Sequence, residues 1–252
     1  MASNKVDIFN LALQAIGEST LVQSETDGTT SCEMCVLQYP ACLKSMLEQM
    51  AWPFATRQAA MTAAYSEWDS TVTYAANTQA RWEGNIFHSV AASNLDHEPT
   101  TDSSTYWILD YPCAIGWGYV YLLPSDHLRP IAVLLDGQRI GLYVGGDKNP
   151  FELMVHPLGE STMLCCDVEP DDLMALEYVA YVDIPSFYPQ LFVDALVLLL
   201  ASKLALVISK DPGKSSEFYR LHMFAMSQAA SVSLMSSQRD PEPSPSSIRA
   251  RE

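Results

Sequence analysis

The stretch PSFYPQLFVDALVLLLASKLALVIS, residues 185–209, decides how this chain is read. From Leu191 to Ile208 an apolar run carries only two charges, Asp194 and Lys203. A helix on a protein surface keeps its apolar residues to one stripe, so a helix apolar nearly all round must be covered on most of its sides. The run is long enough to cross a bilayer, but it contains two charges and lacks a flanking aromatic or basic girdle. A buried core helix over residues 187–209, with no membrane span, is the expectation. Other segments of the chain must then supply its cover.

Three segments have the right pattern. Residues 5–16 predict a helix with Val6, Phe9, Leu11, Leu13 and Ile16 on its apolar side and Gly17 as its stop. Residues 29–50 carry the cleanest helical periodicity in the chain. There Cys32, Cys35, Val36, Tyr39, Leu43, Met46, Leu47 and Met50 recur at spacings of three and four, and Thr26 or Asp27 is available as a cap. Pro40 lies inside that run and predicts a kink or local break, while Trp52 and Pro53 end it. Asp211 and Pro212 open a last helix whose apolar face is Phe218, Leu221, His222, Ala225 and Ala229. From Ser236 the chain becomes SSQRDPEPSPSSIRARE, too poor in apolar residues to build a core.

Between residues 65 and 181 the pattern changes to short β-branched and aromatic runs. Residues 119–122, 131–135, 140–144, 163–166 and 176–181 predict strands, and Asp136-Gly137 predicts a tight turn. Residues 85–111 are polar and predict a long loop or excursion. The economical arrangement is α+β. It has an antiparallel helix bundle drawn from both chain ends (1–64 and 185–235), an inserted β-rich domain (65–184) and an extended C-terminal arm (236–252).

Composition narrows the function. Hydrophobic residues make up 48% and charged residues 17% of the chain, enough apolar material for a real core. The net charge is −16, which disfavours gripping a phosphate backbone but suits a wall that DNA slides past. No charged, apolar and small-residue leader pattern marks the start, so the six cysteines predict reduced thiols rather than a disulfide framework.

Constellations for chemistry are weak. Cys32 and Cys35 form a CxxC, but both fall on a predicted apolar helix face and have no second ligand pair. Cys165 and Cys166 are adjacent in a strand, so their thiols point to opposite faces. His88, His97, His127, His156 and His222 are scattered without metal-ligand spacing, and His97 between Asp96 and Glu98 predicts a solvated loop. Asp167, Glu169, Asp171 and Asp172 offer paired carboxylates, the equipment of glycoside hydrolysis, but read first as a charged turn. No GxSxG, GxxxxGK or HExxH motif occurs. No catalytic residue, cofactor or metal is expected.

Four stretches taken in order resemble the head-to-tail adaptor family of short-tailed phages, also known as tail tubular protein A. They are NLALQAIG (10–17) with the polar loop to Asp27; the helix through Tyr39 ending in MAWPFATR (50–57); WGYVYLLPSDHLRP (117–130); and LEYV (176–179) with residues 183–206. The family's Arg-Asp pair after the tyrosine is replaced by Ala41-Cys42, and residues 66–114 match nothing in it. The resemblance implies a helix bundle with an inserted β domain and a non-enzymatic virion protein. It implies a homo-oligomeric ring, commonly a dodecamer, between the portal protein and a tail nozzle resembling tail tubular protein B. DNA would pass through that ring without sequence-specific binding. The location implied is the head–tail interface of the virion, after assembly in the host cytoplasm. Two other expectations stand beside it: an adaptor with added polysaccharide hydrolysis, and a monomeric soluble binding module.

The C-terminal arm is the expected contact with the portal or a neighbouring subunit. Arg239, Arg249 and Arg251 would pair with acidic groups there, and Pro241, Pro243, Pro245 and Ile248 would lie along the partner. Ending the chain after Ser236 is therefore expected to abolish co-sedimentation with portal rings; unchanged attachment would refute the assignment.

Overall fold

A computed structural model describes residues 4–100, 105–112, 117–139, 151–155, 162–169 and 174–237. The chain divides into two compact units, Met1–Thr56 with Val179–Glu252, and Arg57–Tyr178.

In the first unit, helix α1 (Lys5–Ile16) begins at Asn4, whose Oδ1 accepts the Asp7 amide at 2.8 Å while Asp7 accepts the Asn4 amide in return. This reciprocal cap satisfies donors that a helix start leaves open. It ends at Gly17, held at φ 90°, where the amides of Gly17 and Glu18 return to Gln14 and Leu13. Helix α2 (Thr30–Gln49) starts from Thr29 and runs unbroken through Pro40. Cys32, Cys35, Tyr39, Cys42, Leu43, Met46 and Leu47 are its buried residues, whereas Val36 is exposed.

Helix α3 (Gln190–Val207) follows a short 3-10 turn at Pro185–Phe187. Its mean hydropathy of 2.0 would suit a membrane span by composition. Burial within the unit accounts for that composition instead: Phe192, Val193, Leu196, Leu199, Leu200 and Leu204 are all covered. Helices α1, α2 and α4 (Pro212–Ser237) each pack on α3, and α1 touches α2 only lightly. An aromatic cluster closes one end of α3. Trp52 and Phe54 meet Phe192 edge-on, with ring centroids 4.9 and 5.0 Å away.

The second unit holds most of the strands. One sheet has the order β1 (Thr56–Ala60), β11 (Met174–Ala180), β7 (His127–Leu135), β8 (Gln138–Arg139). A second has β2 (Thr62–Ala63), β6 (Tyr119–Leu122), β10 (Thr162–Cys166), β9 (Glu152–Val155). The third is a meander of β3 (Gln79–Trp82), β4 (Asn85–Ser89) and β5 (Trp107–Pro112). Asp136 at φ 49° and Gly137 at φ 77° make the β7–β8 turn, the left-handed pair that a two-residue hairpin needs. Ile86 and Phe87 are neighbours on β4, so the pleat turns them to opposite faces and different cores; between their partners Tyr111 and Leu109 the register shifts by one residue on β5. Ile86 joins Val120, Met163 and Cys165, while Phe87 joins Tyr74, Ala80 and Trp107.

The expected α+β layout, an antiparallel helix bundle from both chain ends carrying an inserted β-rich domain, is corrected. The described residues form eleven strands in three antiparallel sheets beside four helices, a sheet-rich chain. Two physical reasons stand behind the change. An all-round apolar α3 gathers the other helices onto itself, so they do not pair with one another around a shared seam. Residues 56–63, assigned to the helical part from sequence, are strands that enter two different sheets. Residues 85–111 are likewise no loop throughout, since β4 and β5 lie in them. The predicted strand at 140–144 and the arm at 238–252 fall outside the described residues.

If α3 is the hub, Leu196→Ala, at a fully buried position, should cost about 2–5 kcal/mol in chemical denaturation. Leu37→Ala, at an exposed position of α2, should change stability by less than about 0.5 kcal/mol.

Candidate assembly surface

Helix α4 has two kinds of surface. Phe218, His222, Ala225, Met226 and Ala229 recur at spacings of three and four and turn toward α3. Buried His222 places Nδ1 2.9 Å from the Ala195 carbonyl, which fixes Nδ1 as the donor and pins mid-α4 to α3. Loss of hydration on burial lowers its pKa. At the helix start, Lys214 Nζ donates to the Ile16 carbonyl at 3.3 Å.

The remaining surface is the unusual one. Tyr219 is 52%, Met223 50%, Phe224 63% and Val232 54% exposed. Residues 221–238 contain no Lys, Arg, Asp or Glu, in a chain of net charge −16. Solvent-facing helix surface normally carries charge, and contiguous exposed apolar groups mark interaction sites. Leu221, which the periodicity places on the apolar face, is 39% exposed. The missed signal was the long uncharged run, which periodicity alone does not register.

Several of the groups singled out for chemistry make contacts within the fold. Cys32, Cys35, Cys42, Cys165 and Cys166 are all buried and in no disulfide. Burial pushes the Cys35 thiol up to about 12 and that of Cys42 to about 11. Cys165 and Cys166 point to opposite sides of β10, one into the Val120 core and the other toward Met174. Asp167 accepts the Gly118 amide at 2.8 Å, and Glu152 accepts Trp117 Nε1 at 2.9 Å. Asp171, Asp172, His156 and the arm residues Arg239, Pro241, Pro243, Pro245, Ile248, Arg249 and Arg251 lie outside the described residues. The His97 ring stacks on Tyr106, with centroids 3.5 Å apart. No group of three or more His, Cys, Asp or Glu side chains suited to a metal occurs among the described residues.

Two polar clusters were not foreseen. Asp183, ahead of α3, takes Lys5 Nζ at 2.6 Å and the Tyr39 hydroxyl at 3.2 Å, tying α1 and α2 to the approach of α3. The hydrogen bond to Asp183 raises the Lys5 pKa. In the third sheet, Asp110 pairs with His88 Nδ1 and accepts Gln79 Nε2 at 2.7 Å.

The buried thiols make a clear prediction. In the native Cys113→Ser variant, the five remaining cysteines should resist a thiol-alkylating reagent at pH 8 and react on unfolding. Because the folded Cys35 thiol titrates above its ordinary value of 9.0, its contribution to stability is complete below pH 9. It is lost as pH rises toward about 12, so denaturation midpoints should fall across that window. Prompt native-state alkylation of Cys35 would contradict the assignment. The sequence matches no protein-family model and no curated protein, so the phage-adaptor resemblance rests on its four stretches of sequence alone.

Proposed function

We propose that this chain is a structural subunit of a ring, the adaptor that links a phage portal to the tail nozzle and forms part of the DNA ejection channel. The observation that carries the reading is the outer surface of α4, which bears no charge from Leu221 onward and leaves Tyr219, Met223, Phe224 and Val232 each at least half exposed. A chain acting alone gains nothing from leaving these groups in water, whereas burial against another protein contributes roughly 25 cal/mol per Å².

Two further features support it. The four sequence stretches occur in the order found in the adaptor family, including Tyr39 and the residues ending in Arg57. The net charge of −16 fits a conduit, because a negative wall repels phosphates and keeps DNA moving. It also requires contacts between copies that avoid carboxylates, and α4 offers such a surface.

The test is to mix the full chain with purified portal rings and image the product by electron microscopy. A closed annulus of this chain stacked coaxially on the portal is expected. Portal rings that stay bare at micromolar concentrations of the chain would refute the adaptor role.

A further inference from the structure

The apolar groups on α4 fall on two separate flanks. Taking 100° per residue and the mean direction of the α3-facing residues as zero, Tyr219 and Met223 lie at about +70° and +110°. Leu221 and Val232 lie at about −90° and −70°, with Phe224 beside that flank at about −150° and the exposed Gln228 between them at about −110°. Met223 and Val232, nine residues apart, thus project in opposite directions across the helix. Between the flanks runs a polar strip of Arg220, Ser227 and Ser231, all exposed.

This division says what kind of contact covers α4. An isologous pair joins one patch to itself about a twofold axis, and one such contact would leave the other flank in water. A head-to-tail contact seats one flank of each copy on the opposite flank of the next, so a single contact type covers both. The occupant is a second copy of this chain rather than a charged partner. Copies that each carry −16 repel one another overall, which favours contact on surface free of carboxylates, and a basic partner would find no carboxylate on α4 after Glu217.

We infer that α4 joins successive copies of the chain head to tail, the Tyr219–Met223 flank of one against the Leu221–Val232 flank of the next. This rests on the ring-subunit reading and specifies its subunit contact. The polar strip stays open to solvent in such a row, and repetition of the contact gives a closed ring or a filament according to its rotation.

The test uses the full chain and two exposed-site variants, Met223→Glu and Val232→Glu, each placing a carboxylate on one flank. Circular dichroism melts that match wild type establish that both fold. By native mass spectrometry, wild type should form species larger than a dimer. Each variant alone should be monomeric, since every contact needs one flank of each kind. An equimolar mixture should give one-to-one heterodimers and nothing larger, because each variant retains the flank the other lacks.

A variant that remains dimeric alone would overturn the inference in favour of a twofold contact. So would a mixture that stays monomeric, or a monomeric wild type. Should wild type stay monomeric yet still form annuli on portal rings, the flank assignment fails and the adaptor reading stands. Should the mixing pattern hold while portal rings stay bare, the flank assignment stands and the adaptor reading fails.

Discussion

Removal of α3 from water is the constraint around which the helical unit is arranged. Its side chains are apolar on nearly every face, and each leucine or phenylalanine fully buried contributes on the order of 1.5–3 kcal/mol. No single neighbour can cover such a helix. Helix α1 arrives from the start of the chain, α2 from shortly after it, and α4 from beyond it. The first and last parts of the sequence therefore belong to one unit, and the 122 residues between them form another. That long separation makes the helical unit dependent on contacts distant in sequence, which are slow to form and costly in loop closure.

Specificity in that apolar setting comes from a few polar anchors. Asp183 binds Lys5 from α1 and Tyr39 from α2, so both helices are fixed at one level relative to the approach of α3. Trp52 Nε1 donates to the Met46 carbonyl at 2.8 Å, which folds the chain back after α2 and brings its ring to Phe192. His222 does the same for α4. Apolar burial supplies the drive, and these directional bonds select one arrangement among several of similar burial.

Much of the helical unit was legible from sequence because its signals are local. Gly17 marked the end of α1, and the Cys32–Leu47 periodicity predicted the buried side of α2 apart from exposed Val36 and the buried Cys42 it missed. The sheets were less legible. Pairing joins residues such as Thr62 and Leu122, sixty positions apart, and nothing in either segment names the other. The β3–β4 hairpin has a readable turn, Glu83-Gly84, both at positive φ, but it stands just ahead of the polar stretch that starts at Asn85. The α4 surface was half legible: the uncharged run is plain in the sequence, but which of its members face water depends on where α3 sits.

Sequence by itself determined the presence of the four helices, the acidity and the need to bury residues 191–208, because each follows from the chemistry or spacing of near neighbours. Tertiary structure alone decided that three antiparallel sheets stand where a simple insertion was expected, that Asp183 gathers Lys5 and Tyr39, and that α4 keeps two apolar flanks in water. Those outcomes depend on which distant surfaces meet, and a pattern of near neighbours carries no information about distant ones.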